Sequence, residues 1–252
     1  MSVATQRLAV TLLLVLGGAH LALAQTADEV IEKSITAIGG RAALLKLKTR
    51  SMTGTITLST PVGEIAGSVE IVNATPNKSR NVIKADLTAL GVGPLVLDQR
   101  FDGNAGYVLD SMQGNRVMTG NQLDNLRNSS FPHPFLNYKD LGTAARLGGK
   151  EKVGDREAYV VLFEPTSGSV VHQYIDAETY LPIKTVMTVE VPQLGQQVEQ
   201  ATEFLDYREI DGIKMPFQLR ATSSVQNYTI TIAKVEHNIA IDDALFSKPS
   251  TP

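Results

Sequence analysis

The chain has 252 residues with no cysteine and no tryptophan, and 23 Lys and Arg against 26 Asp and Glu leave a formal charge of -3. Without cysteine there is neither a disulfide framework nor a thiolate nucleophile, so an apolar core of adequate size must hold the fold together. The charges are mixed along the chain with no basic run, which argues against nucleic acid and strongly anionic membrane surfaces as partners.

The first stretch, MSVATQRLAVTLLLVLGGAHLALAQ, carries one Arg, an apolar run from Leu8 to Leu16, and Ala22-Leu23-Ala24 before Gln25. That is the pattern of a secretory signal with an A-x-A cleavage site, too short for a membrane span. Residues 1–24 are expected to be removed on export, leaving 25–252 as one mature domain in the periplasm. No Cys follows the site, so lipid attachment there is excluded. In TADEVIEKSITAIGG the pair Thr26 and Glu29 forms a capping box, and Val30, Ile31, Ile35 and Ile38 make one apolar stripe of a helix that Gly39-Gly40 ends. RAALLKL adds a second, short helical piece.

From Ser51 the apolar period changes to two. Met52, Ile56 and Leu58 share one face against Thr53, Thr55 and Thr57, and the alternation recurs in GSVEIVN, KSRNVIKADL, AGYVLD and NRVMTG. Turn signals at TPVGE, TPNKS, FDGNAG and MQGN separate these segments, as in an up-and-down antiparallel sheet. The rhythm breaks at TGNQLDNLRNSSFPHPFLNY. Asn121 is placed to cap a helix through Arg127, while Pro132 and Pro134 forbid a regular helix or central strand after it. Phe131, Phe135, Leu136 and Tyr138 make this insertion apolar, so it is expected to act as a lid. Strands resume in REAYVVLFEP, SVVHQYID, LPIKTVMTVEV, QQVEQATEFLDYREI, IKMPFQLRAT and NYTITIAKVEHN. The fold class is therefore mainly β (α+β), with roughly ten strands and two or three helical pieces. In the tail, Leu245 and Phe246 are expected to dock as a plug.

EFLDYREIDGIKMPFQLR crowds Glu203, Asp206, Glu209 and Asp211 into one short stretch, which raises the question of an acid site. In an extended strand these side chains do not converge, and Asp211-Gly212 is a favoured type I′ hairpin turn, so the segment reads as a hairpin. His133, His172 and His237 have no spacing that joins two of them at a metal, no serine sits in G-x-S-x-G, and Gly91, Gly93, Gly103 and Gly106 precede no helix that would hold a phosphate. The Asn-x-Ser/Thr triplets at Asn73, Asn77, Asn128 and Asn227 read as chance occurrences. No catalytic residue, metal or cofactor is assigned, and the protein is not expected to be an enzyme.

The strands carry more inward apolar positions than so few helices can cover. The remaining surface either fills the middle of the sheet with its own side chains or lines a cavity for an apolar ligand. The candidate lining is Met52, Ile56, Leu58, Val69, Ile71, Tyr107 and Leu109 in the first half, and Met187, Val189, Met215 and Phe217 in the second. Phe131, Phe135 and Leu136 form the candidate lid.

The order of parts, with TPNKSRNVIK, FDGNAGYVLD, FPHPFLNY, YIDAETYLPIKT and VEHNIAIDDALFSKP in turn, resembles the LolA/LolB-like periplasmic lipoprotein-carrier superfamily and its relatives described as outer-membrane lipoprotein-sorting proteins. The resemblance spans nearly all of residues 25–252. It implies a curved antiparallel half-barrel whose apolar concave face is covered by an N-terminal helix and a short helical lid and accepts acyl chains. It also implies a monomeric carrier or chaperone for a lipoprotein or lipid, with inner- or outer-membrane donor and acceptor proteins as partners. The chain departs from the pattern at Thr75-Pro76, where an Arg holding the lid would be expected before the Pro; Arg80 is the nearest substitute. A different class of reading is a non-catalytic envelope sensor or scaffold that binds a protein partner through the sheet.

Overall fold

The computed structural model describes residues 25–191 and 195–248; the expected signal sequence lies outside them. Helix α1, Ala27–Ile38, opens with the capping box, the Thr26 hydroxyl accepting from Glu29 N at 3.2 Å and the Glu29 carboxylate accepting from Thr26 N at 3.0 Å. Its buried stripe is Val30, Ile31, Ile35 and Ile38. Gly39 ends it with φ 142°, and a Cβ there would lie 2.3 Å from the Gly212 carbonyl oxygen, so only glycine lets this corner reach the sheet. A short helix α2, Arg41–Lys46, leads into the strands.

Strands β1 Thr49–Thr60, β2 Gly63–Ala74, β3 Lys78–Asp86, β4 Pro94–Phe101, β5 Gly106–Asp110 and β6 Arg116–Val117 follow in order. Helix α3, Gly120–Asn128, and a 3-10 turn, Pro134–Leu136, interrupt them. The chain then returns through β7 Ala144–Val153, β8 Arg156–Glu164, β9 Val171–Asp176, β10 Pro182–Val191, β11 Gln196–Ile210, β12 Ile213–Ser223 and β13 Asn227–His237. All thirteen form one sheet in the order β6-β5-β4-β3-β2-β1-β13-β12-β11-β10-β9-β8-β7. Every pairing is antiparallel, and the last strand closes onto the first, Met52 opposite Val235. The sheet stays open between β6 and β7, and residues 118–143, which include α3, are the segment joining these two edges. The expected half-barrel with a lid is present, with thirteen strands rather than about ten.

Two of the additional strands lack the alternating apolar signal. β4 begins at Pro94 behind the Gly91-Val92-Gly93 turn, and β7 is an edge strand of mostly exposed residues with a Gly148-Gly149 bulge, at which the register with β8 shifts. Polar composition and a bulge are the usual devices that keep an edge from pairing with another chain. Asn121 lies inside α3 rather than capping it; the N-cap is Thr119, and its side chain makes no capping bond.

The largest buried cluster joins α1, Leu44 of α2 and Leu47 to Val161 and Phe163 of β8, Ile175 of β9, Ile213 of β12 and the lid residues Phe131, Phe135 and Tyr138. α1 therefore lies across the inner face of the returning strands. Asp211 and Gly212, with φ 52° and 77°, make the β11–β12 turn between the paired Ile210 and Ile213, the backbone that type I′ requires. The acids of this hairpin diverge: Glu203 meets Arg220 at 3.2 Å, Asp206 meets Arg208 at 2.6 Å, and Asp211 meets His237 at 3.0 Å.

The outer face has its own small core. Val72 follows the inward Ile71 and so points outward, where with Ala74 and Ile241 it encloses the fully buried Phe246. Lys78 pairs with Asp243 at 2.7 Å beside it. The tail is thus a plug on the side of the sheet away from the lid, with Phe246 carrying the burial and Leu245 only half-buried.

Candidate functional site: a lidded apolar cavity

A cavity of about 450 Å³ lies between the inner face of the sheet and the lid, within the ~300–1,000 Å³ typical of small-ligand sites. Its walls are mainly apolar. Met52 and Ile71 come from β1 and β2, Val171, Thr185 and Met187 from β9 and β10, Phe204, Tyr207, Met215 and Leu219 from β11 and β12, and Ile232 from β13. Ile38 and Leu44 close one end from the helices, and Phe131, Phe135 and Tyr138 form the roof.

The roof is fastened on both sides by asparagines. From the β2–β3 loop, Asn77 donates to the carbonyls of Leu126 and Arg127 at 3.3 and 3.0 Å and accepts from Phe131 N at 3.2 Å. Across the opening, Asn125 accepts from Ser169 N at 2.8 Å and Asn128 donates to the Ser167 carbonyl at 2.7 Å. The 3-10 turn is capped by His133, whose Nδ1 accepts from Phe135 N at 3.3 Å. Burial, with the Arg50 charge nearby, lowers the His133 pKa to about 4, so this imidazole is a neutral acceptor at neutral pH. Phe135 stacks on Phe163 with ring centres 5.4 Å apart, and Tyr138 meets Phe163 edge-on while its hydroxyl donates to Asp28 of α1 at 2.6 Å.

Of the residues expected from the sequence, Met52, Ile71, Met187, Met215, Phe131 and Phe135 come together around the cavity. Phe217 packs behind Met52, Met215 and Ile232. Ile56 and Leu58 continue the same face into a neighbouring cluster with Ala85 and Leu87. Val69 is buried opposite Gly54, Val189 stands half-buried opposite Val198, and Leu136 packs against the helix cluster; none of these three lines the cavity.

Tyr107 and Leu109 lie on the other face. Directly paired residues share a face, and the register runs from the inward Ile71 through Asn81 and Gln99 to Val108. Leu109 instead stands opposite Asp98, and Tyr107 opposite Arg100. In AGYVLD the apolar residues are consecutive, so alternation does not fix the parity, and a one-residue slip turns every side chain over.

Four site residues escaped the sequence reading. Arg50 is in phase with Met52, just before the segment read as the first strand, and it projects into the cavity under Phe131. Asn77 sits in the expected TPNKS turn but fastens the lid through its amide rather than through an arginine. Phe204 and Tyr207 both reach the cavity although three residues apart, because Asp206 has φ 51° and interrupts strict alternation. Arg80, the substitute expected to hold the lid, is on the outer face with Asp98, at 2.7 Å.

No family model matches the chain, and no curated protein matches it in sequence. Solved structures do. A DUF1329 family protein from Desulfovibrio piger superposes with TM-score 0.57 at 12% identity, covering 88% of this chain and 97% of that one. A LolA superfamily protein from Nitrosomonas europaea gives TM-score 0.56 at 13% identity over 89% and 99%. A protein domain from Vibrio parahaemolyticus, described as a putative outer membrane lipoprotein-sorting protein, gives 0.52 at 12% identity over 87% and 95%. At this identity the likeness is one of fold, and over nearly the whole of those chains this protein has the LolA-like fold that its order of parts implied.

Proposed function

We propose that the protein is an exported carrier or chaperone that takes up acyl chains of a lipid or lipoprotein in the lidded cavity, for transfer across the cell envelope between membrane donor and acceptor proteins. The observation that carries this reading is the apolar cavity itself, enclosed by an open sheet and a roof fastened by side chains. At ~0.8 kcal/mol per buried CH₂, carrying one long acyl chain through water costs on the order of ten kcal/mol, and an apolar chamber offsets that cost without chemistry. The LolA-like fold supports the reading.

Met187 lines the cavity from β10, so Met187→Trp is expected to fill the chamber while leaving the outer core intact. Titration with a fluorescent fatty acid should show saturable binding to the wild type and a loss of roughly tenfold or more in the variant, with the melting point nearly kept. Equal binding by a folded Met187→Trp variant would place the lipid elsewhere and contradict the proposal.

A further inference from the structure

The cavity contains a cation that no acid among the described residues neutralises. Arg50 is on β1, two residues before Met52 on the same face, and lines the chamber beneath Phe131. Among the described residues its one hydrogen bond runs from Nη2 to Asn73 Oδ1 at 3.2 Å, and no carboxylate lies within ion-pair range. Its Nε is buried without a partner. The Phe131 ring lies 5.3 Å from the guanidinium carbon, so the roof rests on the charge. Burial draws the Arg50 pKa down to about 10, which still leaves it protonated at neutral pH. By contrast, Arg80 and Arg100 on the outer face share Asp98 at 2.7 and 2.8 Å.

An uncompensated charge on the wall of an apolar chamber is costly. A carrier of plain hydrocarbon has no use for it. A planar guanidinium with free N–H groups matches a carboxylate or a phosphate, which it can hold through two parallel hydrogen bonds. We propose that Arg50 is the headgroup anchor of the cavity: the ligand is an anionic amphiphile whose carboxylate or phosphate pairs with Arg50 while its chain lies along Met52, Ile71, Met187 and Met215. Asn73 holds the guanidinium in place, and Phe131 is the side chain that an entering headgroup displaces. This inference rests on the carrier reading and adds the chemistry of the ligand's polar end.

The test compares hexadecanoate, hexadecyl phosphate and hexadecanol, three ligands with one chain and different heads, on the wild type and on Arg50→Gln. The wild type is expected to bind at least one anion roughly tenfold or more tighter than the alcohol, the scale of hydrogen bonds to a charged group. Arg50→Gln should abolish that preference, so that the three ligands bind alike. Tighter binding of hexadecanoate identifies a fatty-acid carboxylate as the head, and tighter binding of hexadecyl phosphate identifies a phospholipid-type phosphate. Should Arg50→Gln not fold, the wild-type comparison still decides, and Arg50→Lys, which keeps the charge but not the planar fork, is expected to retain part of the preference. Equal affinity of the wild type for all three ligands overturns the anchor while the carrier reading stands. Binding of none of them overturns both.

Discussion

Asp98→Ala is expected to destabilise the protein by about 3–5 kcal/mol, the usual cost of removing one partner from a buried ion network. The Asp98 carboxylate is 8% exposed and receives Arg80 Nη2 at 2.7 Å and Arg100 Nη2 at 2.8 Å, the two guanidiniums being 18% and 15% exposed. Its removal would leave two cations side by side under the C-terminal tail, where Arg100 also donates to the Ser247 carbonyl at 3.4 Å. Burial alone would raise the Asp98 pKa, but the bonds from Arg80 and Arg100 outweigh it and hold the carboxyl below its ordinary value. A carboxyl with a lowered folded-state pKa contributes stability that is fully present above its unfolded value of ~3.9 and is lost as pH falls through the folded value beneath it. Urea unfolding at neutral pH should therefore show the full difference between wild type and Asp98→Ala, and the difference should shrink below about pH 4. A loss under ~1 kcal/mol at neutral pH would show that solvent screens the network as it does a surface pair.

Phe135→Ala should be as costly, about 3–5 kcal/mol, because it removes a ring that is 2% exposed and packed between Phe163 and His133. Two roles meet in this side chain. It belongs to the cluster that attaches α1 to β8 and β9, and it also faces the cavity. Truncation enlarges the chamber, so the fraction that stays folded is expected to bind a fluorescent fatty acid at least as well as the wild type. Thermal unfolding and probe titration on one sample check both halves. A preserved melting point with lost binding would mean that Phe135 is a gate standing free of the core, contrary to its packing.

Much of this architecture is legible in the sequence because local and long-range signals agree. The Thr26 and Glu29 box, the Asp211-Gly212 turn and the apolar, proline-broken lid each declare themselves through chemistry that works within a few residues. What stayed hidden depends on partners distant in the chain. β7 is read as a strand only through its pairing with β8, since the Gly148-Gly149 bulge and the charged run Lys150-Glu151-Lys152 break its alternation. The parity of β5 is set by Asp98 and Gln99 on β4, not by its run of apolar side chains. Arg50 is in phase with Met52, but a charged residue at the start of a strand reads as solvated until the opposing Asn73 and the overlying Phe131 are in place. The joint reach of Phe204 and Tyr207 into the cavity depends on one left-handed residue, Asp206, which pattern alone does not reveal.

Whether the cavity carries a lipid in the cell is read by native mass spectrometry of the protein purified gently from its own cell envelope. The expected species is a chain beginning at Gln25 that carries the added mass of a lipid, released on unfolding and ending in an acidic head. A uniformly ligand-free mass that gains nothing when the protein is incubated with envelope lipids would contradict it.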